Sequence, residues 1–132
     1  MKVAVLTSSR ADYSIYYPLI KTLHEDSFFK VSIIAFGTHL AERYGYTVRK
    51  IEEDGFRVAH ALETFPKDDL PGSIVKSMAR TMTEFTSIWE TSDFDLVFCL
   101  GDRYEMFAAC SSAMPYNIKL AHIHGGEQTL GA

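Results

Sequence analysis

Three short stretches bring together residue types able to hold an anion or move a proton. Thr7-Ser8-Ser9-Arg10 follows an apolar run at 3–6, and Gly101-Asp102-Arg103-Tyr104-Glu105 follows another at 96–100. His122, His124 and Glu127 crowd around Gly125 and Gly126, two glycines that let the backbone turn sharply. If a helix starts at Arg10, its free amides and dipole favour an anion there, and the guanidinium adds a two-pronged contact to phosphate. The same residues also describe an ordinary capped turn with a solvated arginine, and the glycine pattern of a dinucleotide loop is missing. Asp102 is placed either to face a ligand or to cap the next helix, and Arg103 either to face a ligand or to pair with Glu105. The His and Glu residues have the donor types of a zinc site. However, His-x-His-x-x-Glu at a strand end lacks the helical spacing of the hydrolase motif, so no metal is expected.

These stretches matter only if the elements before them point the same way. Residues 3–6, 31–36, 56–62, 94–100 and 120–123 read as strands, mostly continuous apolar runs of the kind that a sheet buried on both faces requires. Between them, 11–25 shows helical spacing at Ile15, Tyr16, Leu19, Ile20 and Leu23, with Asp12 or Ser14 able to cap and Pro18 a source of irregularity or a kink. Residues 40–54 read as a polar helix, interruptible at Gly45 and closed by Gly55, and 63–72 as a loop. Ile74, Met78, Met82, Phe85, Ile88 and Trp89 form one apolar stripe over 73–91, read as core, and 104–114 is a helix stopped by Pro115. Alternating strands and helices of these lengths predict an α/β fold. It is a Rossmann-like parallel sheet of about five strands with helices on both faces, in a single domain over 1–132. In such sheets ligands bind beyond the carboxyl ends of the strands, where all three polar stretches fall.

Composition narrows the class. The 132 residues, 47% of them hydrophobic, suffice for one core, and a net charge of −4 argues against a nucleic-acid or anionic-membrane surface. Cys99 and Cys110 lack metal or redox spacing and read as reduced core residues of a cytoplasmic protein. No signal or membrane-spanning segment is expected from the short N-terminal apolar run.

Taken together, four motifs are more specific than any one. Ser9-Arg10-Ala11-Asp12-Tyr13-Ser14, Gly37-Thr38-His39-Leu40, Gly101-Asp102-Arg103 with an acid two positions on, and His122-Ile123-His124-Gly125-Gly126-Glu127 resemble the hydrolysing UDP-N-acetylglucosamine 2-epimerases, enzymes of sialic-acid synthesis. The resemblance runs from residue 1 to 132 and implies the N-terminal half of a two-domain GT-B enzyme. The C-terminal nucleotide-binding domain is then absent, and the chain is inactive by itself. It further implies a UDP-sugar substrate, no cofactor, and a homo-oligomer for the full-length enzyme.

The implied reaction removes the proton at sugar C2 while UDP leaves C1, forming 2-acetamidoglucal. Water then adds to give N-acetylmannosamine. By the resemblance, Asp102 is catalytic, Arg10, Ser14 and Arg103 bind the nucleotide sugar, and His39 joins them as a substrate-binding residue. One departure concerns His124, which stands where several relatives have a catalytic glutamate. The second proton-transfer group is therefore His124 or Glu127. Two alternatives stay open: a UDP-2,4-diacetamido sugar of the legionaminic-acid route as substrate, and a non-catalytic nucleotide- or phosphate-binding module.

Overall fold

A computed structural model describes residues 1–126. Five strands, β1 (Lys2–Thr7), β2 (Lys30–Phe36), β3 (Val58–Leu62), β4 (Leu96–Leu100) and β5 (Leu120–Ile123), form one parallel sheet in the order β3-β2-β1-β4-β5. Helices α1 (Arg10–Glu25) and α2 (Val48–Glu53) cover one face, while α3 (Pro71–Thr91) and α4 (Tyr104–Ala113) cover the other. Alternation along β1 shows why two cores result. Ala4 and Leu6 pack with Phe85, Ile88 and Trp89 of α3 and Met106 and Ala109 of α4, whereas Val5 packs with Tyr13, Tyr16 and Ile20 of α1. Burial of each large side chain contributes about 1.5–3 kcal/mol, so both faces are needed to hold the sheet. Inside, Trp89 Nε1 donates to Ser112 Oγ at 2.8 Å, whereas the buried Tyr16 hydroxyl has no hydrogen-bond partner among the described residues.

The strand order reverses between β1 and β4, which are adjacent although two strands intervene in sequence. Above such a reversal the flanking loops diverge and leave a crevice at the carboxyl ends of the strands. The loops there carry Arg10 and Arg103.

Most expected elements are present, and the differences have local causes. No continuous helix spans 40–54: the chain makes two 3₁₀ turns, Gly37–Leu40 and Glu42–Tyr44, before the short α2. Gly45 at φ +83° and Tyr46 at φ +47° lie in the left-handed region, which breaks the helical hydrogen-bond ladder. Helix α1 runs unbroken through Pro18, which is exposed, so the carbonyl that it leaves unpaired is open to water. On α3 the buried line is Ser77, Thr81, Phe85, Ile88 and Trp89. Met82, expected in the core, is exposed, and Met78 is half-buried, because Ser77 and Thr81 take the inner face there. The third and fourth strands begin two residues later than their apolar runs, and Met114–Tyr116 is a 3₁₀ turn after α4. Cys99 is buried and Cys110 half-buried, and they are not bridged. Among the described residues, no helix is long and apolar enough to cross a membrane.

Candidate active site

The turn after β1 is built to present Arg10. Ser9 is the N-cap of α1, its hydroxyl accepting from the Asp12 amide at 3.3 Å. The Asp12 carboxylate reaches back to accept from the Ser8 amide at 2.9 Å and the Ser8 hydroxyl at 2.7 Å. These reciprocal contacts, a variant of the capping box in which Asp12 reaches the residue before the N-cap, tie down the entry to the helix at Arg10, its first residue, which is exposed. Ser14 is not a cap: its hydroxyl donates to the Arg10 carbonyl within the helix at 2.9 Å. It lines a side groove shared with Arg10, Tyr13 and Lys50, outside the main cleft.

Gly37, at φ +59°, lets the end of β2 pass directly over Ser8. A Cβ there would sit 2.9 Å from the Ser8 carbonyl oxygen. That oxygen accepts from the Thr38 amide at 2.9 Å and the Thr38 hydroxyl at 3.0 Å. His39 follows, with 0% of its surface exposed. Its Nε2 lies 2.9 Å from Thr7 Oγ1 and its Nδ1 2.9 Å from Thr47 Oγ1. Burial pushes its pKa down from 6.5 to about 4, so the ring is neutral near pH 7. His39 is closed off from solvent and does not line the cleft. It links the end of β1 to Thr47, which does line the cleft.

At the end of β4 the two neighbours Asp102 and Arg103 diverge. Arg103 is the N-cap residue of α4, and Asp102 does not cap it. The Arg103 guanidinium is held by Glu105 through Nη2 to Oε1 at 3.1 Å and Nε to Oε2 at 3.3 Å. Glu105 is buried, 1% exposed, whereas the arginine side chain is 49% exposed. Arg103 thus has both positions that its spacing allowed: it pairs with Glu105 and it lines a cleft of about 550 Å³ together with Ser9, Arg10 and Thr38. Asp102 instead lines a neighbouring, mostly apolar cavity of about 450 Å³ with Cys99, Phe107 and His122. The arginines and the candidate acid share one rim but occupy adjoining hollows.

The third stretch supports the second. His122 Nε2 donates to the Gly101 carbonyl at 2.7 Å, and the Gly101 amide donates to Ile123 O at 3.0 Å, so β5 pins the turn that carries Asp102. Gly125 packs on the same imidazole so closely that a Cβ would lie 2.4 Å from His122 Nδ1. His124 is exposed at φ +58°. Glu127 lies outside the described residues. Among the described residues, no three His, Cys, Asp or Glu side chains gather as a metal site.

The pairing of Arg103 with Glu105 was one of the two readings that its spacing allowed, whereas three residues on the cleft wall, Tyr44, Thr47 and Phe65, had no signal in the sequence.

A sequence profile of the family described as UDP-N-acetylglucosamine 2-epimerase matches residues 21–132. The chain is 34% identical over 128 residues to the UDP-N,N'-diacetylbacillosamine 2-epimerase (hydrolyzing) of Legionella pneumophila, covering 97% of this chain and 34% of that one. It is 33% identical over 131 residues to the GDP/UDP-N,N'-diacetylbacillosamine 2-epimerase (hydrolyzing) of Campylobacter jejuni, covering 99% and 34%. Among solved structures, the UDP-GlcNAc 2-epimerase from Neisseria meningitidis bound to UDP-GlcNAc superposes with a TM-score of 0.82 at 18% identity, over 99% of this chain and 33% of that one. The chain therefore spans about a third of the length of the relatives it matches. The profile match over most of its length places the chain in the UDP-N-acetylglucosamine 2-epimerase family.

Proposed function

We propose that residues 1–132 are the N-terminal Rossmann-like domain of a hydrolysing UDP-sugar 2-epimerase, whose full-length form converts UDP-N-acetylglucosamine to N-acetylmannosamine and UDP. The observation that carries this is the cleft at the strand-order reversal, into which Arg10 from the end of β1 and Arg103 from the end of β4 both face. Two guanidiniums from separate loops suit a diphosphate, whose charge grows as it leaves the sugar and must be met in the transition state.

In this reading the proton at C2 is removed as the C1–O bond to UDP breaks, forming 2-acetamidoglucal with its double bond between C1 and C2. Water then adds at C1, C2 regains a proton on the opposite face, and the free sugar is released. Asp102 and one of His124 and Glu127 exchange these protons, while Arg10 and Arg103 hold the diphosphate. Ser14 lies in the side groove that Arg10 also borders, and it steadies the nucleotide sugar from there. His39 contributes through Thr47. A separate domain must supply the uridine contacts and close Asp102 and the arginines onto one substrate, since here they open into adjoining hollows. The reaction needs no cofactor. The enzyme is cytoplasmic and homo-oligomeric and serves sialic-acid synthesis.

A second reading has its own support. The 33–34% identical relatives are named for UDP-diacetylbacillosamine, whereas the UDP-GlcNAc-bound structure is 18% identical. A UDP-2,4-diacetamido sugar is thus the alternative substrate for the same elimination. Incubating the full-length protein with each UDP-sugar decides: release of UDP and free 2-epimerised sugar supports the reading, and formation of an epimerised UDP-sugar without release contradicts it. Asp102→Asn in that protein should cut turnover ~10²-fold or more if Asp102 exchanges protons, and unchanged turnover would remove it from the mechanism.

A further inference from the structure

The hollow beside the arginine cleft has a pair of thiols in its wall that the proposed reaction does not use. Cys99 and Cys110 lack any redox spacing in sequence, yet the packing of α4 on β4 makes them neighbours. Both line the hollow, both pack in the same core layer, and their side chains share a hydrogen bond. Cys99 is 2% exposed and Cys110 half-buried, and the exposed Phe107 and Met114 in the same wall open the hollow to solvent. Donation from the Cys110 thiol pulls the Cys99 pKa down from 9.0 to about 7 against the effect of burial, and the charge of His122 acts the same way. Cys110 is pushed up by the same contact and by burial. Ionisation of Cys99 gives up only a weak contact, from Sγ to the Ala121 carbonyl at 3.7 Å. One thiol of the pair is thus a thiolate near neutral pH, and the thiolate is the reactive form.

We propose that Cys99 and Cys110 form a peroxide-oxidisable dithiol site, Cys99 attacking and Cys110 resolving, which closes to a disulfide in the wall of the hollow that Asp102 also lines. The proposal does not rest on the reading of the arginine cleft. The Cys99 thiolate, its proton released to water, attacks one oxygen of hydrogen peroxide. An S–O bond forms as the O–O bond breaks, and the departing hydroxide takes a proton to leave as water. The Cys110 sulfur then attacks the sulfenic sulfur of Cys99. The S–S bond forms as the S–O bond breaks, and the Cys110 proton leaves with that oxygen as a second water. Two thiols together lose two electrons, and the peroxide gains them.

Treating the chain with hydrogen peroxide at neutral pH, alkylating the remaining thiols and mapping peptides by mass spectrometry tests this. The expected result is loss of both free thiols to a Cys99–Cys110 disulfide within one chain, formed faster in the folded protein than in urea and reversed by dithiothreitol. In Cys110→Ser, which keeps a hydroxyl donor beside Cys99, dimedone should capture a sulfenic acid at Cys99. Survival of both thiols in the folded wild type, a disulfide formed only between chains, or oxidation no faster than in urea overturns the proposal. Failure of dimedone to label Cys99 in a folded Cys110→Ser chain overturns Cys99 as the attacking thiol.

Discussion

Lowering the pH from 7 to 5 should destabilise the chain through His39. The ring is fully buried and bonded on both sides, to Thr7 and Thr47. Burial is the largest influence on its pKa and pushes it from 6.5 to about 4, while the charge of Asp12 pulls weakly the other way. In the unfolded chain the imidazole takes a proton near 6.5, so below that pH the unfolded state binds more protons than the folded one. The contribution of His39 is therefore fully present above about 6.5, is lost as pH falls towards about 4, and changes no further below that. A shift of this size corresponds to about 3 kcal/mol over the whole window, of which about 2 kcal/mol is lost by pH 5. Urea unfolding at several pH values, for the wild type and His39→Asn, isolates the effect, because other titrating groups are common to both. The wild type should lose stability more steeply than the variant between pH 7 and 5, and the ring should titrate well below 6 by NMR. Parallel curves, or a His39 titration near 6.5, would refute the assignment of a neutral, sealed imidazole.

Other substitutions probe the turns that carry the arginines and Asp102. Glu105→Gln leaves Arg103 without its buried counter-charge. With the arginine half exposed, about 1–2 kcal/mol of stability should be lost in urea unfolding, and no loss would show that the pair does not hold Arg103. Gly125→Ala places a methyl against the His122 ring, so the imidazole Nε2 proton resonance sustained by the Gly101 carbonyl should disappear; its persistence would contradict the packing. Gly37→Ala combines a left-handed φ with contact against the Ser8 carbonyl and should lower stability by about 1–3 kcal/mol, read from the thermal midpoint, with an unchanged midpoint arguing against the close approach.

The frame of this domain was legible because its strands are buried on both faces and so appear as apolar runs; β5 at 120–123 was readable to the residue. The segment 40–54 was not, since nothing in its composition marks Tyr46 as left-handed, a conformation that its surroundings impose. The rim was legible in the same way, because polar residues after apolar runs can only lie at strand ends. What spacing could not convey was direction. Asp102 and Arg103 are adjacent in sequence yet face different hollows, and His39 reads as a rim residue yet points inward between two threonines. Tyr44 and Phe65 gave no sign because their meeting depends on how two loops pack across the end of the sheet.

The account depends on Arg10 and Arg103 acting together on one diphosphate. The direct measurement is the NMR titration of the arginine Nε–H signals of the chain with UDP, carried to saturation and repeated with Arg10→Ala and Arg103→Ala. The account predicts that the Arg10 and Arg103 signals move together with a single affinity and that either substitution weakens it. Movement of neither signal, or of one independently of the other, would contradict it.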